Sequence, residues 1–408
     1  MRRIISVIML IAISLTVPHT AAADIYEGAL DTADTAQIDA EAFAQQEPAL
    51  TQEDITISAP SAILMEKTTG RVLYEKDADV QREPASVTKV MTILLIAEAI
   101  ESNAISIDDM VTVSARAASM GGSQVFLEEG EQMSVHEMLK SIVVSSANDA
   151  AVAMAEHIAG TEEAFVKLMN ERAGELGMNG TNFTNCSGLM DDPTHLTTAR
   201  DIAIMSRELI CHEMIKAYTT IWMDDIRDGQ FGLSNTNKLI YYYDGATGLK
   251  TGFTDRAMYC LSATAQRDGV EYIAVIMHAQ TSQERFEDAK ALLNYAFANY
   301  ALINNEPDNV LSPVPVRLGR QKAVQPVLTQ MENILIGKND AQSVEKTVQL
   351  EEQLTAPIEK GQTIGKLTVR AGENVVGEYE LVASDDVPRI TWLEVFLSLM
   401  RDIFAGGE

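Results

Sequence analysis

Apolar residues recur along the chain with two periods, one typical of helices and one typical of strands. A nearly continuous apolar run from Val90 to Ile100 predicts a largely buried helix. Short runs bounded by turn residues predict a hairpin over 61–75 and strands between 249 and 278. Strands at both ends with helices between them indicate an α/β or α+β domain whose sheet joins distant parts of the chain. Apolar positions at helical spacing predict further helices over 134–144, 151–159, 162–176, 198–211 and 283–300.

The pattern changes near the C-terminus. Alternating runs separated by Gly, Asp and Asn turns between about Val310 and Val387 predict a small all-β domain. The last apolar segment, Ile390 to Phe404, predicts an amphipathic helix that lies in a membrane interface and is too short to span a bilayer. A helix that docks on its own protein or on a partner is the alternative. Its polar residues fall in one narrow arc: Thr391, Glu394, Ser398, Arg401 and Asp402.

The first 54 residues have a different composition. Residues 1–23 carry two arginines, an apolar core and the small-residue string Ala21-Ala22-Ala23, which predicts a cleaved secretory signal, with an uncleaved anchor as the alternative. Residues 24–54 contain no lysine or arginine, and we expect a disordered acidic linker. The predicted organisation is a signal at 1–23, a linker at 24–54, a main domain at 55–303, a β-rich domain at 304–388 and a terminal helix at 389–408.

Composition and charge limit the number of domains and the kinds of partner that we expect. The 408 residues are 46% hydrophobic, which is ample for the cores of two or three domains. The formal net charge of −28 would repel phosphates, so nucleic acid is not an expected partner. Cys186, Cys211 and Cys260 show no paired spacing, and we interpret all three as small buried side chains.

A serine and a lysine lie three residues apart where the buried helix is predicted to begin. Pro84 suits the first turn of a helix, and residues at i and i+3 share a helix face. Ser86 Oγ and the Lys89 amine can therefore meet, and a neutral lysine can take the hydroxyl proton to make a nucleophile. Alone this motif is weak, because Ser343-Val344-Glu345-Lys346 repeats it in a segment that we interpret as surface.

A second motif, Ser146-Ala147-Asn148, falls in a turn between two predicted helices. Ser146 can relay a proton to a leaving amine, and Asn148 can hold Lys89 or a substrate amide. For Lys89 to act as the base its pKa must fall, which burial and a second cation, Lys250, would both favour.

A third motif, Lys250-Thr251-Gly252, begins a predicted strand. Lys250 and Thr251 present a charge and a hydroxyl to a substrate carboxylate. Gly252 lets an edge strand approach closely, so that substrate backbone can pair beside it. The backbone N–H groups of Ser86 and Phe253 are candidates for an oxyanion hole.

The order Ser-x-x-Lys, Ser-x-Asn and Lys-Thr-Gly, each in its expected setting, marks penicillin-binding proteins and class A β-lactamases. With the strings over 84–92, 146–150, 197–201 and 248–254, the chain resembles the low-molecular-weight penicillin-binding proteins, the serine-type D-alanyl-D-alanine carboxypeptidases. The resemblance implies an α/β (α+β) penicillin-binding-protein-like catalytic domain, a small all-β C-terminal domain and a terminal amphipathic helix. It implies removal of the terminal D-alanine from peptidoglycan stem peptides through a Ser86 acyl-enzyme; no cofactor or metal is expected.

The resemblance also implies covalent inhibition by β-lactam antibiotics and a place in the cell envelope, at the outer face of the cytoplasmic membrane. Arg285 resembles a family arginine near the substrate carboxylate, with a surface ion pair as an equal alternative. The chain departs from the family pattern at two positions, where Ala147 and Met258 stand in place of a usual glycine.

Four other functions are alternatives to this one. A class A β-lactamase needs an additional glutamate, but the only acids between Ser187 and His195 are Asp191 and Asp192. A zinc peptidase needs clustered ligands, yet both His-Glu strings have lysine where the second histidine would stand. An endopeptidase acting on cross-linked peptidoglycan carries the same motifs, and a non-catalytic wall-binding protein could retain them.

Overall fold

A five-stranded antiparallel sheet organises the part of this computed structural model that begins at residue 55 and ends near residue 299. The structure describes residues 55–189 and 192–405, so the predicted signal at 1–23 and linker at 24–54 lie outside the described residues. The strands of this part of the chain are β1 (Ser61–Glu66), β2 (Val72–Lys76), β3 (Met110–Thr112), β4 (Gln132–Ser134), β5 (Met223–Ile226), β6 (Phe231–Ser234), β7 (Ala246–Thr254), β8 (Met258–Arg267) and β9 (Val270–Ala279).

The large sheet has the strand order β2-β1-β9-β8-β7. The predicted hairpin over 61–75 is confirmed, because β1 pairs with β2. The other side of β1 pairs with β9, which lies more than 200 residues later in the chain. Strand β7, which carries the third motif, lies at one edge and leaves one side of its backbone unpaired within the sheet. Two short antiparallel strand pairs, β3–β4 and β5–β6, were not predicted.

Helices α1 to α8 lie in the chain between the β1–β2 hairpin and β7, and α9 follows β9. The helix predicted over 90–100 is confirmed, and a 3₁₀ turn, Ala85–Thr88, precedes it. The Ser134 hydroxyl caps its helix by accepting a hydrogen bond from the Glu137 N–H. The helices are α1 (Lys89–Glu101), α2 (Ala115–Ala118), α3 (Val135–Val144), α4 (Asn148–Ala159), α5 (Glu162–Glu175), α6 (Ala199–Leu209), α7 (Glu213–Thr219), α8 (Leu239–Tyr242) and α9 (Ser282–Asn299).

The sheet separates two hydrophobic cores. Alternate residues of β9 face opposite sides: Val275 packs with α1 and the other helices, whereas Ala274 packs toward α9. Because both faces are covered, β9 is apolar along most of its length and shows no polar alternation. Helix α1 is buried on nearly all sides, and each fully buried large side chain contributes about 1.5–3 kcal/mol to folding.

The C-terminal part is built from short strands, which confirms the predicted all-β character. Strand β10 follows α9 directly and pairs with β14, so the predicted boundary after residue 303 falls inside a strand. Other strands form a four-stranded sheet, β13-β18-β17-β15, and a three-stranded sheet, β12-β11-β16. The elements are β10 (Tyr300–Asn304), β11 (Val314–Arg317), β12 (Ala323–Val324), β13 (Pro326–Leu328), β14 (Asn333–Gly337), α10 (Lys338–Ala341), β15 (Val344–Leu350), β16 (Leu354–Thr355), β17 (Thr363–Ala371) and β18 (Asn374–Ala383).

A last helix, α11 (Trp392–Ala405), follows the β-rich part and confirms the predicted terminal helix. Its large apolar side chains are exposed, with Trp392 79% and Phe396 51% accessible. An ion pair of 2.9 Å between Arg320 and Glu394 joins its first turn to the β-rich part. Within the described ranges, no helix is long and apolar enough to cross a membrane.

The cysteine prediction is correct for two residues and wrong for the third. Cys186 and Cys260 are fully buried, and none of the three cysteines forms a disulfide. Cys211 is exposed, because it lies just beyond the C-terminus of α6, where the chain turns at the surface.

Candidate active site

The nucleophile candidate lies in a constrained turn. Ser86 belongs to the 3₁₀ turn that Pro84 precedes, and Lys89 is the first residue of α1. The turn begins with Ala85 at φ +48°, a left-handed conformation that is costly for a residue with a side chain. This geometry brings Lys89 Nζ to 3.0 Å from Ser86 Oγ. The predicted contact between the two side chains is therefore present.

Lys89 is held by neutral acceptors. Its Nζ donates to Asn148 Oδ1 at 2.6 Å and to the Ser187 carbonyl at 2.7 Å, and the residue is fully buried. Burial lowers the pKa of the Lys89 amine to about 7, and the nearby Asp149 carboxylate acts in the opposite direction. The amine can therefore lose its proton near neutral pH.

The second motif lies between α3 and α4, where the sequence placed it. Ser146 is 3% exposed and adopts φ +62°. Among the described residues, its Oγ has no hydrogen-bond partner, which is unusual for a buried hydroxyl. Asn148 begins α4 and donates from Nδ2 to the Gly121 carbonyl at 2.7 Å. Since its Oδ1 bonds Lys89, Asn148 ties the base to the glycine-containing loop before β4.

Edge strand β7 carries the third motif against the nucleophile turn. Lys250 is 1% exposed, and its pKa lies well below the usual lysine value because of burial and the neighbouring charges of Lys89 and Arg285. Its Nζ donates to the Thr251 carbonyl at 3.0 Å. A Cβ at Gly252 would lie 2.7 Å from the Pro84 carbonyl oxygen, so glycine permits the close approach of strand and turn.

Phe253 and Arg285 both lie against the ring of Tyr259 near the end of strand β7. Phe253 is 48% exposed, and its ring centroid lies 4.4 Å from that of Tyr259. Arg285 is 8% exposed and donates to the Gly252 carbonyl at 3.0 Å, so its interpretation as a surface ion-pair residue is wrong. It is buried because α9 packs its N-terminal turn against β7 and β8, with the guanidinium over the rings of Tyr259 and Phe286.

Sequence reasoning missed two contributors to the site. The Thr236 hydroxyl accepts a hydrogen bond of 2.7 Å from Thr251 Oγ1, and the Ser187 carbonyl holds Lys89. Both belong to irregular segments that tertiary folding brings together, so no periodicity identifies them. The only available signal was the polar string Ser234-Asn235-Thr236-Asn237-Lys238 between Leu233 and Leu239.

The competing motifs lie elsewhere. In the second Ser-x-x-Lys, Lys346 bonds Asn304 and Glu306 at the surface of the β-rich part. The two histidines of the His-Glu strings are also engaged locally: His136 Nδ1 lies 2.7 Å from the Tyr218 hydroxyl, and His212 Nδ1 lies 2.8 Å from Glu101. Across the described part of the chain, no three His, Cys, Asp or Glu side chains are grouped to hold a metal ion.

A serine hydroxyl beside a lysine amine of lowered pKa, a buried serine and a basic edge strand together define a serine acyl-transfer enzyme of the penicillin-binding class. The sequence model of the family described as D-alanyl-D-alanine carboxypeptidase matches residues 44–281, and that of the penicillin-binding protein 5 C-terminal domain matches residues 305–389. The chain therefore belongs to the serine-type D-alanyl-D-alanine carboxypeptidase family, as its motifs predicted.

Individual relatives agree with this assignment. D-alanyl-D-alanine carboxypeptidase DacF of Bacillus subtilis is 41% identical over 88% of this chain and 94% of its own length. Penicillin-binding protein 5 of Haemophilus influenzae superposes with a TM-score of 0.69 at 30% identity, covering 82% of this chain and 98% of its own. Penicillin-binding protein D2 of Listeria monocytogenes, solved with ampicillin bound, gives a TM-score of 0.55 at 32% identity over 59% of this chain and 98% of its own. The predicted fold class is confirmed.

Proposed function

We propose that the protein removes the terminal D-alanine from peptidoglycan stem peptides through an acyl-enzyme on Ser86. The observation that carries the proposal is the 3.0 Å contact between Ser86 Oγ and a Lys89 amine that is buried among neutral acceptors. Neutral Lys89 takes the Ser86 proton as Oγ attacks the carbonyl between the two D-alanines. The tetrahedral intermediate collapses with release of D-alanine, and water then hydrolyses the ester.

Ser146 is the proposed proton relay to the leaving amine. Its buried hydroxyl, which has no hydrogen-bond partner among the described residues, can accept a proton from one group and donate to another as the scissile bond breaks. Asn148 holds Lys89 in place through its Oδ1 and leaves the lysine uncharged, because an amide brings no counter-ion.

Lys250 and Thr251 are the proposed site for the substrate's terminal carboxylate. An arriving carboxylate would stabilise the charged form of Lys250, and the positive charge on Lys250 would in turn favour the neutral form of Lys89. Arg285 adds positive charge beneath the same strand and fixes Gly252 through its carbonyl. Substrate backbone would pair with β7 beside Gly252, with the N–H groups of Ser86 and Phe253 as the proposed oxyanion hole.

The same geometry would trap β-lactams as slow esters on Ser86. Support comes from the Listeria relative, whose structure was solved in an ampicillin-bound form. The test combines intact mass measurement after brief exposure to benzylpenicillin with an assay of D-alanine release from a D-alanyl-D-alanine peptide. We expect one adduct that maps to Ser86 and is absent from Ser86→Ala. Ser343→Ala, in the second Ser-x-x-Lys, is the matched control and retains both signals. Rapid drug loss without an adduct would instead indicate a β-lactamase.

The proposed place of the enzyme is the outer face of the cytoplasmic membrane, with residues 1–23 as the export signal and α11 as the anchor. The exposed apolar side chains of α11 support interfacial binding. Vesicle flotation of the mature chain tests it: Phe396→Glu should abolish binding, and Ser398→Glu, in the polar arc, should not. Since the polar arc has one arginine and no lysine, binding should be as strong to zwitterionic as to anionic vesicles. Retention of binding by Phe396→Glu would refute the anchor.

A further inference from the structure

A buried histidine outside the three motifs contacts the nucleophile turn. His195 is 3% exposed, and its ring centroid lies 5.8 Å from that of Phe183. The Thr184 backbone N–H donates to its Nδ1 at 3.0 Å, so Nδ1 is an acceptor. A neutral imidazole that accepts at Nδ1 carries its hydrogen on Nε2.

That hydrogen begins a directed chain of hydrogen bonds. His195 Nε2 lies 2.8 Å from Thr88 Oγ1, and the same hydroxyl donates to the Ala85 carbonyl at 2.8 Å. Because the hydroxyl hydrogen is used toward Ala85, Thr88 can only accept from the imidazole. Gly188 packs against this carbonyl and the Thr88 hydroxyl, since a Cβ there would lie 1.9 Å from the Ala85 oxygen and 2.7 Å from Thr88 Oγ1.

The position of the Ala85 carbonyl also fixes the Ser86 amide. A trans peptide unit is planar, and its C=O and N–H point in opposite directions. Ala85 adopts φ +48°, a conformation that persists only where surrounding contacts impose it. A hydrogen bond that holds the Ala85 oxygen therefore aims the Ser86 N–H to the opposite side of the same plane.

We propose that His195 is a positioning residue that, through Thr88, orients the Ala85–Ser86 peptide so that the Ser86 N–H faces the reacting carbonyl oxygen. The proposal rests on the proposed acyl-enzyme function and its oxyanion hole. Since an oxyanion donor acts on the transition state more than on the bound substrate, His195 should affect kcat and the acylation rate but not KM.

The experiment compares two substitutions in the full mature chain. His195→Phe keeps an aromatic ring against Phe183 and removes the hydrogen bonds of both ring nitrogens, whereas His195→Gln keeps a side-chain N–H for Thr88. We expect kcat for D-alanine release and the benzylpenicillin acylation rate to fall on the order of 10–100-fold in His195→Phe, with KM unchanged, and to recover largely in His195→Gln. Thr88→Val should cause the same loss, and the double variant should be no worse than either single variant.

Several results would overturn the proposal. An unchanged acylation rate per titrated active site in His195→Phe, an additive double variant, or a rise in KM alone would each show that His195 only supports the fold. In histidine-labelled wild-type protein, a ¹⁵N spectrum with the hydrogen on Nδ1 would contradict the directed chain without any variant. A wild-type protein that neither releases D-alanine nor forms the adduct would refute the proposed function itself, and this inference with it.

Discussion

At the scale of single residues, the site disfavours the protonated forms of its two buried lysines. Lys89 and Lys250 are both fully buried, and burial disfavours two protonated amines there at once. The neighbours that bond Lys89 are an amide, a carbonyl and a hydroxyl, which satisfy the amine without holding its proton. A lysine that is inert in water becomes a base because its surroundings favour the neutral form.

This arrangement predicts a pH dependence. Because the pKa of Lys89 is lowered to about 7, its neutral fraction grows as pH rises through 7, and the acylation rate should rise with it. Below pH 6 the rate should fall about tenfold per pH unit, as expected for one essential deprotonation. Stopped-flow acylation by a chromogenic β-lactam between pH 5 and 9 measures this. A rate that is constant from pH 5.5 to 8 would contradict a lysine base.

Gly252 gives a second prediction at this scale. In Gly252→Ala the new methyl would meet the Pro84 oxygen at 2.7 Å and the Ser86 nitrogen at 3.1 Å, so β7 or the turn must shift. We expect the acylation rate to fall roughly 10–100-fold, because small displacements of reacting groups are costly. Gly232→Ala, on β6 with no atom within 4 Å of the new methyl, is the matched control and should acylate normally. Equal rates in both variants would show that the close approach is unimportant.

At the scale of elements, helix α1 supports the site by being buried on nearly all sides. It packs between the sheet and the other helices, and its first residue is Lys89. Lys89 is therefore the first residue of a helix that neighbouring side chains hold in place. A substitution in α1 far from Lys89 should reduce the stability of the fold more than it reduces the acylation rate.

Leu94→Ala tests this expectation. Leu94 is fully buried, so the variant should lose about 3 kcal/mol of unfolding free energy from lost contacts and the remaining cavity. Leu95 is only half-buried, and Leu95→Ala should lose about 1 kcal/mol. Urea unfolding measures both. Similar losses in the two variants would mean that α1 is less tightly packed than described.

Element type was largely predictable from the sequence, whereas element contacts were not. The run from Val90 to Ile100 and the spacing in α3 to α6 identify helices because periodicity is a local property. The hydrogen bond from Thr251 to Thr236 and the burial of Arg285 depend on how distant segments pack, and no local pattern encodes them. The left-handed φ of Ala85 is imposed by its surroundings, and alanine itself gives no signal for it.

Contacts within a motif were predictable where they depend only on local chain geometry. Ser86 and Lys89 are separated by one helical turn, so their contact follows from chain geometry alone. Asn148 and Lys250 come close to Lys89 only after folding, and no local periodicity predicts that arrangement. The exposure of Cys211 was missed because a residue just past a helix end can face either way.

At the scale of the whole molecule, thiol reactivity provides a simple check on the fold. Cys186 and Cys260 are fully buried, and burial raises the pKa of the Cys260 thiol to about 11. A thiol reagent should therefore label Cys211 alone in the native protein and all three cysteines after unfolding. Cys211→Ser should remove the native signal and leave two thiols on unfolding. Rapid native labelling of a second cysteine would contradict the described cores.

The pairing of β1 with β9 also has a consequence for biosynthesis. The nucleophile at Ser86 precedes the end of β7 by more than 160 residues, and β9 ends later still. Translation proceeds at roughly 5–20 residues per second, so the end of β7 is synthesised about 8–34 s after Ser86. Contacts so distant in sequence also slow folding, because the chain must close a long loop before they form. The enzyme therefore gains its reactive centre only after most of the polypeptide exists, and a nascent chain that stops earlier carries the serine without the means to use it.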